Sequence, residues 1–165
     1  MPPSARGLTL VELITVIVLL AVLSAAALPR FTRIDAQAHK SSVAATAGSF
    51  RTAVILVHAA YFAKGLTGAL DNLPGFGNNN VDVNTAGYPT DTAGSNTITG
   101  TATCVNVWNG IFQIAPSITT GTSTAFDYRV TRAGQTCTYT YRRSTSPTRS
   151  FTYNAANGVV TVINP

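Results

Sequence analysis

The chain is poor in charge and in the side chains that do chemistry. Charged residues make up 10% of it, with 11 Lys and Arg against six Asp and Glu, a net charge of +5. His39 and His58 are the only histidines, too few and too isolated for a metal site, and are expected to be packed or capped. No nucleophile elbow, phosphate loop or paired-histidine motif frames the serines and aspartates, so an enzyme is not expected. Asp71, Asp82 and Asp91 lack the DxDxDG spacing of a calcium loop. Neither a metal nor another cofactor is therefore expected. Cys104 and Cys137, the only cysteines, have no Cys or His at a spacing useful for ligation or redox catalysis. An Asn-x-Ser/Thr acceptor is missing, which removes N-linked modification through that motif and leaves O-linked modification of Ser and Thr open.

What the chain has is a greasy start. GLTLVELITVIVLLAVLSAAALP occupies 7–29, and its span Leu8–Leu28 comprises 21 residues. As a helix that span would measure about 31 Å, close to the apolar thickness of a bilayer. An ordinary secretory signal would have MPPSAR as its basic segment and SAAA as its cleavage site. Glu12 argues against that and against a plain anchor, because a carboxylate in lipid is costly and needs a partner or a task.

Gly7, the Leu8 that follows and a glutamate at the fifth position thereafter resemble the class III signal of type IV prepilins and pseudopilins. The resemblance covers residues 6–30. It implies cleavage by prepilin peptidase between Gly7 and Leu8 and methylation of the Leu8 amine, although the family more often has phenylalanine there. It also implies a role in assembly for Glu12, whose carboxylate would meet the cationic amine of a neighbouring subunit and set axial register as each charge relieves the other's desolvation. Pro29 matches the helix-disturbing proline of many such pilins, and either kinks the helix or ends it at the membrane surface.

Beyond Pro29, Ala47, Phe50, Val54, Val57 and Tyr61 recur at steps of three and four, as a packed helix face requires. Small residues such as Ala44, Ala45 and Gly48 permit close neighbours, and Lys64 with Gly65 supplies a stop. The segment from Leu8 to Lys64 is read as one helix of about 85 Å. Residues 65–100 are rich in Gly, Asn, Thr and Asp and read as loop with at most brief structure. CVNVWNGIFQIAP, 104–116, offers Trp108, Ile111, Phe112 and Ile114 to cover a sheet, with a short helix as the alternative. In TCTYTYR, Cys137, Tyr139 and Tyr141 alternate with polar residues, a strand pattern flanked by FDYRV and SFTYNAANGVVTVI. Ala133-Gly134 and Asn157-Gly158 mark hairpin turns, the second in a form favouring a primed turn.

The expected organisation is therefore a leader at 1–7, a transmembrane and filament-core helix at 8–28, an amphipathic second half at 29–64 and a head at 65–163. The head comprises the loop at 65–100 and an antiparallel sheet of about four strands over 125–163. This is an α+β architecture, and it resembles the type IV pilin fold. In an exported head Cys104 and Cys137 are expected to pair, as in the disulfide-bounded region of many pilins, except that Cys137 lies well short of the terminus.

ALPRFTRIDAQAH resembles the mannose-sensitive hemagglutinin-type pilins. The implied function is that of a structural pilus subunit supporting adhesion or surface motility. It begins in the inner membrane and ends as a homo-oligomeric helical filament at the cell surface. Implied partners are the peptidase, an inner-membrane assembly platform, a cytoplasmic assembly ATPase acting indirectly and, in a Gram-negative cell, an outer-membrane secretin. Two rivals remain: a type II secretion pseudopilin in a periplasmic filament, and a minor pilin for DNA uptake. Arg129, Arg132, Arg142, Arg143 and Arg149 are the candidate contacts for DNA or an acidic surface. A solvated basic sheet face, or pairing of these arginines with carboxylates of adjacent subunits, is favoured over nucleic acid.

Overall fold

The computed structural model describes residues 9–144 and 146–164. Helix α1, Leu10–Ala63, is followed by strands β1 (Asp82–Val83) and β2 (Pro89–Asp91), then helix α2 (Thr101–Ile111). Strands β3 (Ile118–Thr119), β4 (Tyr128–Ala133), β5 (Thr136–Tyr141), β6 (Ser150–Asn154) and β7 (Val159–Ile163) complete the fold. The chain divides into two compact units, one ending at Ala38 and the other beginning at His39, so α1 contributes to both.

In the second unit, the expected helix face is buried: Ala47, Phe50, Val54, Val57 and Tyr61, joined by Val43. Apolar burial along this stripe is what holds a helix of modest propensity against the sheet. The helix stops at Gly65, which takes the left-handed conformation (φ +64). Gly65 N–H donates to Phe62 O (2.9 Å) and Leu66 N–H to Tyr61 O (3.4 Å), the paired closure that satisfies the final carbonyls.

Five strands form one sheet in the order β3-β4-β5-β6-β7. From β4 to β7 all neighbours are antiparallel, as the alternating sequence implies. The sheet also has a fifth, edge strand: β3 pairs parallel to β4, Ile118 with Tyr128 and Thr119 with Arg129. Asp127 creates this addition, because its carboxylate accepts from Ser117 N–H (3.2 Å) and Oγ–H (2.6 Å) and holds β3 at the edge.

Gly134 lies in the two-residue loop between β4 and β5, with φ +58. The second hairpin differs from the expected primed Asn-Gly turn, since Asn154 pairs with Val159 and the loop is four residues long. Asn154 organises it, accepting from Ala156 N–H through its side chain (2.9 Å) and from Gly158 N–H through its carbonyl (2.9 Å). Gly158, with φ +70, lies under the Tyr88 ring, where any β-carbon would collide.

Segment 104–116 enters helix α2, which buries Cys104, Val107, Trp108 and Ile111. Ile114 does not cover the sheet; it is 90% exposed. The chain leaves the helix at Phe112, and Trp108 Nε1–H donates to Pro116 O (2.9 Å), which turns the following backbone back towards the core and leaves Ile114 outside.

The core is aromatic. Phe50 contacts five rings, from Tyr139 at 5.2 Å between centroids to Trp108 at 5.9 Å. Ahead of α2 the Gly-rich segment contributes the two-stranded pair β1-β2 and an isolated antiparallel bridge between Leu70 and Val83. Asp82, fully buried, braces that segment by accepting from Asn72 N–H (2.9 Å), Gly94 N–H (2.7 Å) and Ser95 N–H (3.3 Å).

Candidate functional site

In the first unit the described residues from Leu10 onward are helical, and the large apolar side chains described there are exposed. From Leu10 to Leu28 every large apolar side chain is 46–72% exposed. The helix is long and apolar enough to cross a membrane by length and composition. Surface of this kind is stable in lipid or against other apolar helices, where water is excluded.

Within this stretch Glu12 has local partners. Thr9 N–H and Thr9 Oγ1–H both donate to Glu12 Oε2 (2.9 Å each), while Glu12 N–H donates to Thr9 Oγ1 (3.2 Å). This is a capping box: Thr9 is the N-cap, Glu12 the third helical residue, and two amides that a helix start would leave bare are satisfied. Thr15 Oγ1 donates to Val11 O (2.8 Å) and Glu12 O (3.0 Å), which returns its hydroxyl to the backbone in an apolar setting. The sequence reading overlooked the reciprocal bonds, although their signal, Thr-x-x-Glu before an apolar run, was present. Glu12 is consequently not the isolated charge that the apolar context implied.

Gly7 and Leu8 lie outside the described residues. At Pro29 the helix does not end: α1 continues to Ala63. A missing amide donor is tolerated when the turns on either side are otherwise hydrogen-bonded, so proline alone does not force a terminus.

In the head, Cys104 and Cys137 form a disulfide between α2 and β5, with Cα atoms 5.8 Å apart and both residues fully buried. The five arginines do not gather into one open patch. Arg149 is 4% exposed and donates to Ser144 Oγ (2.6 Å). Arg143 pairs with Asp127 (2.8 Å) and donates to Ala125 O (3.1 Å). Arg142 donates to Thr122 O (3.0 Å). Arg132, at the opposite end of β4 from these, donates to Gly134 O and Ile98 O (2.8 Å each). Arg129 lies on the face of β4 opposite to buried Tyr128 and Val130. Most of the candidate cations therefore close loops by binding carbonyls. Asp127 is held below the usual carboxylate range, first by the Ser117 hydroxyl and then by Arg143.

The histidines are packed. His39 Nδ1 lies 3.1 Å from Tyr141 Oη, and His58 stacks on Tyr88 with centroids 4.2 Å apart. Asp71 and Asp91 each accept from a side-chain amide, Asn96 (2.8 Å) and Asn106 (2.7 Å). Among the described residues no group of three or more His, Cys, Asp or Glu is placed to hold a metal ion.

One comparison with known proteins bears on the same amino-terminal segment. Residues 3–28 match the family described as the prokaryotic N-terminal methylation motif. The chain is 44% identical over 62 residues to the type IV narrow pilus major component PilA5 of Thermus thermophilus, a match covering 38% of this chain and 52% of that protein. Both matches cover less than half of this chain. The chain spans about half the length of the pilin it matches. No solved structure matches it significantly. The structure has the expected long helix and small sheet, the parallel edge strand β3 making the sheet mixed. The motif and the apolar helix are consistent with a membrane-anchored precursor.

Proposed function

We propose that this chain is a structural subunit of a type IV pilus, assembled by packing of its amino-terminal helix among copies of itself. The observation that carries the reading is the uncovered apolar surface from Leu10 to Leu28 within a methylation motif. Such a helix is held in the inner membrane as a precursor and loses little on transfer to a bundle of identical helices, because one apolar environment replaces another.

The leader ends at Gly7; prepilin peptidase cuts there and the amine of Leu8 is methylated. In the filament the Glu12 carboxylate of one subunit faces the Leu8 amine of the next. Thr9 positions that carboxylate by its two hydrogen bonds, so side-chain entropy is already lost before a neighbour arrives. The assembly platform, the ATPase and, in a Gram-negative cell, the secretin act on the filament, which supports adhesion or surface motility. Engagement of the arginines by loop carbonyls and Asp127 weighs against the DNA-uptake reading.

The test is electron microscopy and mass spectrometry of fibres sheared from cells. Long surface filaments composed mainly of this chain, beginning at methylated Leu8, are expected. Surface fibres that persist unchanged without the chain, or a periplasmic location, would replace this reading with a minor or secretion-system subunit.

A further inference from the structure

A small cleft of about 140 Å³ lies where the β5–β6 connection meets the β3–β4 connection, lined by Thr124, Thr140, Tyr141, Arg142, Ser144 and Thr148. At roughly 30 Å³ for each water it has the space of about four or five, well below a site for a nucleotide or another ligand of that size. A small ion fits it.

Arginines build its walls. Arg142 Nη2 donates to Thr122 O (3.0 Å) and ties one connection to the other. Arg149, 4% exposed, donates to Ser144 Oγ (2.6 Å) and fixes that hydroxyl in the wall. One donor in this frame lacks an acceptor: Arg142 Nε is shut off from solvent and makes no hydrogen bond with any described residue. A buried N–H of a charged group is costly when unmatched, so Arg142 Nε calls for an acceptor from outside the chain. Two further donors stand beside it. Thr140, half-buried on β5, has a hydroxyl without a partner among the described residues. Ser144 Oγ already accepts from Arg149, so its hydrogen is left to donate.

Charge selects the acceptor. No acidic residue is among those lining the cleft. The adjacent carboxylate, Asp127, pairs with Arg143 (2.8 Å), and it is the Asp127 carbonyl that accepts from Arg142 N–H (2.8 Å). Arg142 therefore has no carboxylate beside it among the described residues. Water would satisfy the N–H and leave the charge. An oxoanion answers both, because its tetrahedral oxygens accept from a guanidinium and from hydroxyls at once. We propose that this cleft binds a small tetrahedral oxoanion, a phosphate or sulfate or the phosphoryl end of a monoester, on Arg142 with Thr140 and Ser144. The site lies within one head and is independent of filament assembly.

Binding is measured on the full chain in a non-ionic detergent at constant ionic strength, by phosphorus NMR and calorimetry. Inorganic phosphate is the probe, sulfate the competitor and methyl phosphate the ester. Saturable phosphate binding, displaced by sulfate and not by the same concentration of chloride, is expected. Arg142→Lys keeps the charge but loses the Nε–H, and should weaken phosphate binding about tenfold, as loss of a charge-assisted hydrogen bond requires. Thr140→Val keeps a β-branched side chain and the Arg142–Thr122 tie; it should weaken binding about threefold with an unchanged melting temperature, and so decides the matter if Arg142→Lys folds poorly. Methyl phosphate bound as well as phosphate assigns the site to the phosphoryl end of an ester, and its exclusion assigns it to the free ion. Absence of saturable phosphate binding, binding unchanged in both variants, or tighter binding of an oligonucleotide lacking terminal phosphates would each overturn the proposal.

Discussion

Phe50 of α1 and Tyr139 of β5 lie with ring centroids 5.2 Å apart, at the centre of the contact between helix and sheet. Tyr139 Oη donates to Cys104 O (3.0 Å), and Cys104 is disulfide-bonded to Cys137, two residues before Tyr139 on the same face of β5. Helix α1, helix α2 and the sheet are thus joined through one aromatic cluster. Phe50→Ala removes a ring that touches five others and leaves a cavity. A loss of about 3–5 kcal/mol is expected, read from urea denaturation of the head by Trp108 fluorescence.

The disulfide closes a loop with a sequence separation of 33. Chain entropy assigns a loop of this size about 3–4 kcal/mol, a large part of what a small domain possesses. Cys104→Ala/Cys137→Ala should lower the denaturation midpoint accordingly, and reducing agent should lower the natural chain to a similar value without affecting the variant.

Asp127 has its pKa lowered by Ser117 and Arg143, and the stabilisation has a defined pH window. The unfolded carboxyl titrates near 3.9, and the folded one lower. Its contribution is complete above the unfolded value and disappears as pH falls through the folded value. Asp127→Asn should therefore melt below the natural chain at pH 7, with the gap closing in acid. The gap is expected to be small, because the Arg143 pair is solvent-screened. A constant gap down to pH 2 would contradict this account.

The buried tyrosines set the alkaline limit. Burial raises Tyr128 to about 12 and shifts Tyr139 and Tyr153 upward as well. Unfolded phenols ionise near 10, so their contribution to stability is complete below that pH and is lost as pH rises through the folded values. Tyrosinate absorbance should show an early phase from accessible phenols and a later, cooperative phase that coincides with loss of near-ultraviolet circular dichroism. A single phase at pH 10 in a still-folded head would be inconsistent with this burial.

Periodicity made the long helix and the antiparallel strands legible. Ala47 to Tyr61 repeat at the helical interval, and Cys137 to Tyr141 alternate, because each buries one face. The two-residue strand β3 was hidden: its place depends on Asp127 reaching Ser117 from ten positions away in sequence. Composition also misrepresented the arginines, since charge counts do not reveal that Arg149 is buried and that Arg132 reaches the carbonyl of Ile98. At the amino terminus Glu12 belongs both to the processing motif and to the Thr-x-x-Glu spacing of a capping box, so its charge and its local hydrogen bonds with Thr9 share one signal.

That box allows the two roles of Glu12 to be separated. Glutamine serves in a capping box as glutamate does, so Glu12→Gln retains the hydrogen bonds with Thr9 and removes only the charge. The most direct measurement co-expresses tagged natural and Glu12→Gln chains and compares their ratio in sheared filaments with that in the membrane by mass spectrometry. If the carboxylate pairs with the Leu8 amine of a neighbour, the glutamine chain should be about tenfold or more depleted from filaments, as expected when one buried charge is left unpaired. Equal ratios in filament and membrane would contradict the account and reduce Glu12 to a helix cap.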